Sequence, residues 1–556
     1  MGELFRRLKS YPLASAELLV ASLFANVLAL ASPLFVMQVL NRYVSHGVDS
    51  TLFTLTAGVV TAIVFEVGFR QIRMTIANAL CQPFDHQYAT ATFEALAGAR
   101  TDAMGQIPSG QKREAAQAPD AIQQAFAAPN LVAYLDLPFA LVFLLALALL
   151  NPLLAAIALL FMVIVLLLGW TSYKGLEAPT QDLQGRMAER QGVIDTVVSD
   201  PDTVRVFSTR KSLRLRWSRL QTLLNGARAA VTARQGMGQN LTQGVQALLS
   251  AGIITVGAMM VVSGDMNVGL LIGANILAAR AVAPLIRMTQ LAPALAKAHA
   301  ARQTIEGLVR IPRERTDGSA LGKYRGALQF SDVAFAYPGH PTPLFESLSL
   351  KLEPGALFVV SGANGSGKTT LARLLAGLVQ PVRGQILVDG VDLAQVAPEW
   401  WRRQIVYLPQ EPGFFAGSVR ENLMAYVPEL DESSLNAVIR EAGLEAFFAA
   451  SQQGFDMQLQ PGGRNLPLGI RRRLALARAL SSEGRLVILD EPTEGLDGEG
   501  AQQVGRVMNA LKQRGCTIIA LSHDPNIIQG APHILDLNAK PVPRLLQTQP
   551  RAKEGA

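Results

Sequence analysis

The sequence is poor in cysteine, with only Cys81 and Cys516, which lie far apart in its 556 residues. Two distant cysteines argue against a disulfide framework and against a cysteine-based zinc site. Aromatic residues make up 6%, and no aromatic-basic pattern of an RNA- or DNA-binding module occurs. No cleavable signal peptide is expected, because the apolar residues that begin near Leu13 continue well past signal-peptide length.

Charged residues are also scarce, at 17%, whereas hydrophobic residues reach 50% and the mean hydropathy is +0.25. Soluble domains rarely average so apolar, so a membrane domain is expected. A membrane helix needs about 20 mostly apolar residues. Six runs meet this requirement, at residues 14–39, 51–69, 131–150, 153–170, 245–262 and 268–283. The net charge of +7 then fits cytoplasmic loops of a membrane protein better than a nucleic-acid surface.

The loops between these runs predict the orientation. The short connections carry almost no positive charge, whereas the long segments after the second and fourth runs are rich in Lys and Arg. The positive-inside rule therefore places both termini and both long segments in the cytoplasm of a bacterial inner-membrane protein. We expect each long segment to prolong two membrane helices and to join them through a short transverse helix, near residues 106–120 and 199–211.

Several charged residues lie inside or beside the apolar runs, at Glu66, Arg70, Asp136 and Arg280. Intramembrane charge indicates either a transport pathway or a buried or interfacial pair. The sequence leaves both interpretations open and indicates no substrate residue.

The C-terminal part reads as a soluble α/β domain with a phosphate-binding loop. An apolar strand at 358–361 runs into a segment that fits G-x-x-x-x-G-K-[ST] at every position, and a helix follows at 370–378. The segment is Gly362-Ala363-Asn364-Gly365-Ser366-Gly367-Lys368-Thr369. In this context the backbone N–H groups wrap phosphates, Lys368 reaches the β- and γ-phosphates, and Thr369 binds Mg²⁺.

A second motif supplies two carboxylates. Four apolar residues at 486–489 predict a buried parallel strand, and Asp490 and Glu491 follow at its C-terminal end, where α/β sheets bind ligands. Asp490 is predicted to hold Mg²⁺ and Glu491 to act on the attacking water as a general base.

Four further residues occur in the family order of ABC ATPases, so this domain resembles that family. Tyr337 matches the aromatic that stacks on adenine, Gln410 the glutamine that senses Mg²⁺ and γ-phosphate, Asp497 the dimer-interface loop, and His523 the γ-phosphate histidine. The resemblance implies ATP and Mg²⁺ as ligands. Its nucleotide contacts would be Tyr337, Gly362, Ala363, Asn364, Gly365, Ser366, Gly367, Lys368, Thr369, Thr370 and Asp497. Thr369, Gln410 and Asp490 would hold the metal, and Glu491, His523 and Gln410 would act in catalysis.

The signature motif departs from the family's L-S-G-G-Q, because it reads Leu466-Pro467-Leu468-Gly469-Ile470. Pro467 has neither a side-chain donor nor a backbone N–H, and Leu468 adds bulk where glycine admits phosphate. In the family, two ATPase domains sandwich two ATP molecules, each between one phosphate loop and the other chain's signature. We therefore favour a heterodimer with a second half-transporter that has an intact signature; a homodimer remains the alternative.

The membrane half resembles type I secretion ATPases, through residues 33–42 in the first span and 135–140 in the third. This implies a six-helix ABC exporter domain at 1–310, a linker at 311–325, an α/β P-loop ATPase domain at 326–546, and a disordered tail at 547–556. The expected partners are a periplasmic adaptor, an outer-membrane channel, an exported protein and the lipid bilayer, with no nucleic acid. Only about a dozen residues precede the first span, with no cysteine-peptidase domain among them, so we do not expect leader cleavage by this chain. Alternatives are a lipid, peptide or small-molecule exporter, and a mainly regulatory ATP-binding subunit.

Overall fold

The computed structural model describes residues 2–44, 47, 49–339 and 342–547. Its chain divides into two compact units: the first contains the residues up to Arg313 except Arg100–Asp102, and the second contains Arg100–Asp102 and the residues from Glu314 onward. From residue 548 onward, the predicted tail lies outside the described residues.

The first unit is entirely helical over its described residues. A π-helical turn, Val39–Val44, follows its third helix. The helices are α1 Gly2–Ser10, α2 Pro12–Leu28, α3 Ala31–Gln38, α4 Asp49–Ala97, α5 Thr101–Gly105, α6 Ser109–Ala125, α7 Ala128–Leu150, α8 Pro152–Ser199, α9 Pro201–Val206, α10 Arg210–Val262, α11 Val268–Gln290 and α12 Ala292–Val309.

Six helical stretches are long and apolar enough to cross a membrane, as predicted. Three of the helices, α4, α8 and α10, contain 49, 48 and 53 residues. A span needs about 20, so each continues well beyond its apolar run. The short connections between helices are fixed by polar caps. Asn151 accepts hydrogen bonds from the N–H groups of Leu153 and Leu154 at the start of α8.

The first short helix differs from its predicted position. It is α5, Thr101–Gly105, whereas most of the predicted stretch 106–120 belongs to the 17-residue helix α6. The apolar side of α6 buries Ala118 and Ile122 against α12, and this helical periodicity explains the longer element. The second short helix, α9, lies inside the predicted stretch 199–211.

One buried carboxylate connects four helices of the membrane unit. Asp136 of α7 accepts hydrogen bonds from Arg73 of α4, with Oδ1 2.7 Å from Nη1 and Oδ2 3.3 Å from Nη2. Asn26 of α2 donates to Oδ1 over 3.0 Å, and the guanidinium of Arg287 on α11 lies 3.7 Å from Oδ2. The side chains of Arg73 and Asp136 are each only 5% exposed. The sequence left two interpretations open for Asp136, and the structure supports the buried pair.

The second unit contains eight helices and twelve strands among its described residues. The strands are β1 Leu328–Phe335, β2 Phe345–Leu352, β3 Leu357–Ser361, β4 Arg383–Val388, β5 Val391–Asp392, β6 Ile405–Leu408, β7 Gly417–Ser418, β8 Gln458–Leu459, β9 Leu486–Asp490, β10 Thr517–Leu521, β11 His533–Asp536 and β12 Arg544–Gln547. The helices are α13 Lys368–Leu375, α14 Pro398–Arg403, α15 Val419–Met424, α16 Glu432–Glu441, α17 Glu445–Ala449, α18 Leu468–Leu480, α19 Gly498–Gln513 and α20 Pro525–Gln529.

A six-stranded sheet forms the centre of this unit, in the order β12-β11-β3-β10-β9-β6. All neighbours are parallel except β11 and β12. Strands β9 and β10 are buried along their whole length, as expected for parallel strands covered on both faces. Leu521 of β10 pairs with Val360 of β3 and with Asp490 of β9. The residues that follow these strands therefore meet at one edge of the sheet.

A four-stranded antiparallel sheet, in the order β2-β1-β4-β5, packs beside it. Of the predicted linker at 311–325, residues 314–325 lie within this unit. The ring of Tyr324 is fully buried, with its centroid 5.2 Å from that of Trp401 in an edge-on arrangement. Packing of this aromatic residue explains why the segment is ordered on the domain.

We expect Asp136→Asn to destabilise the membrane unit, because the side chain keeps its shape but leaves the buried Arg73 guanidinium without a counter-charge. Breaking a buried ion pair typically costs about 3–5 kcal/mol, so thermal unfolding of the purified chain in detergent should begin at a clearly lower temperature. Asp265→Asn, at an exposed residue between α10 and α11, is the matched control. Equal unfolding temperatures for the two variants would contradict a stabilising role of the pair.

Candidate active site

The loop between β3 and α13 has a backbone that only glycine adopts easily at two points. Gly365 has φ +80° and Gly367 φ +111°. A Cβ atom at Gly367 would come within 2.8 Å of Leu344 Cδ2, so both conformation and space require glycine there. The predicted phosphate-binding loop thus lies between a buried strand and a helix, as its motif requires.

Two residues that follow β11 hold this loop from outside the motif. Asn538 Oδ1 accepts a hydrogen bond from Ala363 N over 2.8 Å, and Lys540 Nζ donates to Ser366 O over 2.6 Å. Neither residue was predicted from sequence, because their role depends on β11 lying next to β3 in the sheet. The sheet order is the signal that identifies them.

Lys368 is buried at the start of α13, and its ammonium group points back into the loop. Nζ donates to Gly362 O over 2.6 Å and lies 3.1 Å from Glu491 Oε1. The ion pair therefore joins the phosphate-binding loop to the carboxylate that follows β9. A ligand phosphate that binds Lys368 would have to replace one of its partners, which are this carboxylate and the carbonyl groups of Gly362 and Ala363.

Glu491 is held in an unusual backbone conformation. Its φ of +48° lies in the left-handed region, which is uncommon for a residue with a side chain. Its N–H donates to Leu521 O over 2.8 Å, and Ser522 Oγ donates to Oε2 over 3.3 Å. His523 Nδ1 lies 3.0 Å from Oε1. Glu491 therefore contacts both Lys368 and His523, the two residues that were predicted to act with it.

The neighbouring carboxylate, Asp490, has the features of a metal ligand. It is buried, and neither of its oxygens accepts a well-formed hydrogen bond among the described residues, although the nearby Thr369 hydroxyl acts to lower its pKa. Burial raises the pKa of Asp490 to about 6, and the charge of Glu491 adds to the rise. Thr369 Oγ1 donates to Gln410 Oε1 over 3.1 Å, so the other two predicted ligands are adjacent to each other. Carboxylate, hydroxyl and amide oxygens suit Mg²⁺, and the donor set fits this ion.

The remaining predicted nucleotide contacts make interactions of their own. Tyr337 Oη lies 2.8 Å from the buried Thr370 Oγ1, so this hydroxyl is directed towards the tyrosine. Asp497 caps α19 by accepting from Gly500 N over 2.8 Å, and it also accepts from Arg473 over 2.7 Å. These bonds, the cap first, lower the pKa of Asp497. The nucleotide contacts of Tyr337, Thr370 and Asp497 stay predictions.

The residues at the signature position begin helix α18. Leu466 is buried in the core and Pro467 occupies the cap position, where it accepts from Arg471 N over 2.9 Å. Leu468 is 45% exposed, and Ile470 packs against the core. No side-chain hydrogen-bond donor exists in residues 466–470, so these five residues can offer a phosphate only backbone N–H groups.

Glu494 connects the site to α18, and sequence reasoning missed it. Its Oε2 accepts from Gln410 Nε2 and from Arg472 Nη2, each over 3.2 Å. Partial burial raises the pKa of Glu494, but the hydrogen bonds from Gln410 and Arg472 outweigh it and the net shift is downward. Glu494 therefore links the predicted metal-sensing glutamine to the helix that begins at the altered signature.

Both parts of the chain match family models. The transmembrane region of ABC transporters matches residues 16–285, and the ABC transporter ATP-binding family matches residues 345–494. The chain is similar to a solved structure of a bacterial Atm1-family ABC exporter with ATP bound, with a TM-score of 0.82. The match covers 95% of this chain and 93% of that exporter chain. Its identity is 18%, so the likeness concerns the fold.

Curated relatives match almost the whole chain. Three of them share 26% identity over 522 residues, which is 93% of this chain and 73% of each relative. They are the toxin RTX-I translocation ATP-binding protein of Actinobacillus pleuropneumoniae, the exotoxin translocation ATP-binding protein PaxB of Pasteurella aerogenes, and the leukotoxin translocation ATP-binding protein LktB of Mannheimia haemolytica.

We expect Asp490→Asn to weaken ATP binding only when Mg²⁺ is present. The affinity in Mg²⁺ should fall by more than the roughly ten-fold typical of losing a residue that only supports a metal ligand. Titration of a fluorescent ATP analogue in Mg²⁺ and in EDTA measures both affinities. Asp456→Asn, at a surface residue, serves as the control. An unchanged ratio between the two conditions would exclude Asp490 as a ligand.

Proposed function

Because this chain is an ABC transporter that joins a transmembrane domain to an ATP-binding domain, we propose that it powers protein export in a type I secretion system. It is a multi-pass membrane exporter that couples ATP hydrolysis to transport. The observation that carries the finer proposal is the match of 93% of the chain to ATP-binding proteins named for the translocation of toxins. A bacterial inner membrane is the location that this function requires.

The site geometry supports a specific order of events in hydrolysis. In the structure the Lys368 ammonium group forms an ion pair with Glu491 Oε1. When Lys368 turns to the phosphates of ATP, Glu491 loses this partner and becomes free to accept a proton from the attacking water. His523, 3.0 Å from the same oxygen, then holds the carboxylate in position. Mg²⁺ bound by Thr369, Gln410 and Asp490 would neutralise charge that develops on the transferred phosphoryl group.

The altered signature bears on the partner. A chain in which Glu491 contacts Lys368 and His523, with Asp490 adjacent in sequence, has what one side of an ATP site needs. Its Pro467 and Leu468 give the opposite side neither a hydroxyl nor a glycine backbone. We therefore favour a heterodimer in which a second half-transporter supplies an intact signature, and a homodimer is the alternative. The periplasmic adaptor and outer-membrane channel belong to the same proposal.

We expect Glu491→Gln to abolish turnover while ATP still binds. Loss of the general base should lower the hydrolysis rate by about 10²–10⁴-fold, and secretion of the cargo protein into the medium should stop. Phosphate release and immunodetection of the secreted protein measure the two effects. Glu499→Gln, on the exposed first turn of α19, is the control. Continued secretion by Glu491→Gln would favour a mainly regulatory subunit.

Restoring the signature tests the heterodimer. The triple variant Pro467→Ser, Leu468→Gly, Ile470→Gln should raise the ATPase rate of the chain purified alone by at least about ten-fold, the scale on which one phosphate-stabilising donor acts. Leu468→Ala, which trims the exposed side chain without adding a donor, should leave the rate low. Turnover of the unaltered chain alone at about 1–10 s⁻¹, within the usual enzyme range, would argue for a homodimer instead.

A further inference from the structure

Two membrane helices carry charged residues on single faces. Glu66, Arg70 and Arg73 are spaced by four and three residues on α4, and Arg280 and Arg287 by seven on α11. Residues at these spacings lie on one side of a helix. Asp136 of α7 lies between Arg73 and Arg287. The two faces and Asp136 thus form one group, which we call the arginine stripe.

Charge within the stripe is not balanced. Each carboxylate has one close arginine: Asp136 binds Arg73 over 2.7 Å, and Glu66 binds Arg70 over 2.7 Å. Arg287 lies at 3.7 Å from the already paired Asp136, and Arg280 is within electrostatic reach of Glu66 and Arg70. Four guanidinium groups face two carboxylates, which leaves a net charge of +2. Arg280 and Arg287 are the members without a close carboxylate of their own.

The exposed side of α11 carries these two arginines. Arg287 is 54% exposed, and Arg280 and Ala283 are partly exposed, whereas Ala278 and Val282 on the opposite side are buried. An arginine facing hydrocarbon costs about 2.5–3.5 kcal/mol by insertion measurements. Arg280 and Arg287 therefore face water or protein and not lipid, and they mark a polar surface on α11.

We propose that Arg280 and Arg287 of the arginine stripe line the route of the exported polypeptide and bind its carboxylate groups. This inference rests on the proposed function. Guanidinium groups bind carboxylates in a planar, two-point geometry. Seven residues of helix separate the two arginines by about 10 Å, and three residues of extended chain span about 10 Å. The spacing fits an extended segment with acidic residues at every third position.

A nucleotide-free binding experiment tests this directly. The full chain in phosphatidylcholine nanodiscs is titrated with a fluorescent peptide that has glutamate at every third position among serines, and with a matched peptide that has lysine there. The glutamate peptide should bind and the lysine peptide should not. Arg280→Gln and Arg287→Gln should each weaken binding by about ten-fold, since each removes one charge-assisted contact, and the double glutamine variant should weaken it further. Arg280→Lys and Arg287→Lys keep the positive charge but lose the two-point geometry, so they should retain binding only in part.

Controls separate the alternatives. Arg219→Gln, exposed on α10 outside the predicted span, should bind like the unaltered chain. Equal binding of both peptides, or unchanged binding by the double glutamine variant, would overturn the inference. The inference would also be overturned if the double glutamine variant changed the mass of the solubilised assembly but not peptide binding. The arginines would then pair with a partner chain. ATPase activity is measured separately, so failure of the proposed function leaves this titration interpretable.

Discussion

The whole site depends on the contact between Lys368 and Glu491. This contact depends in turn on the parallel alignment of three strands. Strand β10 lies between β3 and β9, so the residues after all three strands emerge at one edge. This edge collects one ammonium group, two carboxylates and an imidazole within a few residues of strand ends. Burial makes each isolated charge costly, so the groups neutralise one another until a ligand offers a better partner.

The cost of burying an isolated charge also determines how charged residues are placed in the membrane unit. Asp136 and Arg73 are tolerated in its interior because they bind each other, and Asn26 satisfies one of the same oxygens. Where the balance fails, at Arg280 and Arg287, the side chains lie on the exposed side of α11. In both units, charged groups that lie close to an opposite charge stabilise the fold. Charged groups that lie farther from an opposite charge are available for binding.

Much of the fold followed from the sequence because its signals are local. Six apolar runs predicted six spans, which is confirmed, and the motif ending at Thr369 predicted a strand-loop-helix. Residues whose role depends on topology escaped prediction. Asn538 and Lys540 reach the phosphate-binding loop only because β11 pairs with β3, and Glu494 needs α18 beside it. The pairing of Asp136 with Arg73, 63 residues apart, likewise requires helix packing that periodicity does not determine.

The left-handed backbone of Glu491 sets activity against stability at one residue. A non-glycine residue in this region carries about 1–3 kcal/mol of strain, and the surrounding sheet and the bond to Leu521 O hold it in place. Glycine at this position would relax the strain and delete the carboxylate at the same time. Selection for a more stable ATPase domain and selection for a faster one therefore pull in opposite directions here, and the strained residue persists only while turnover is under selection.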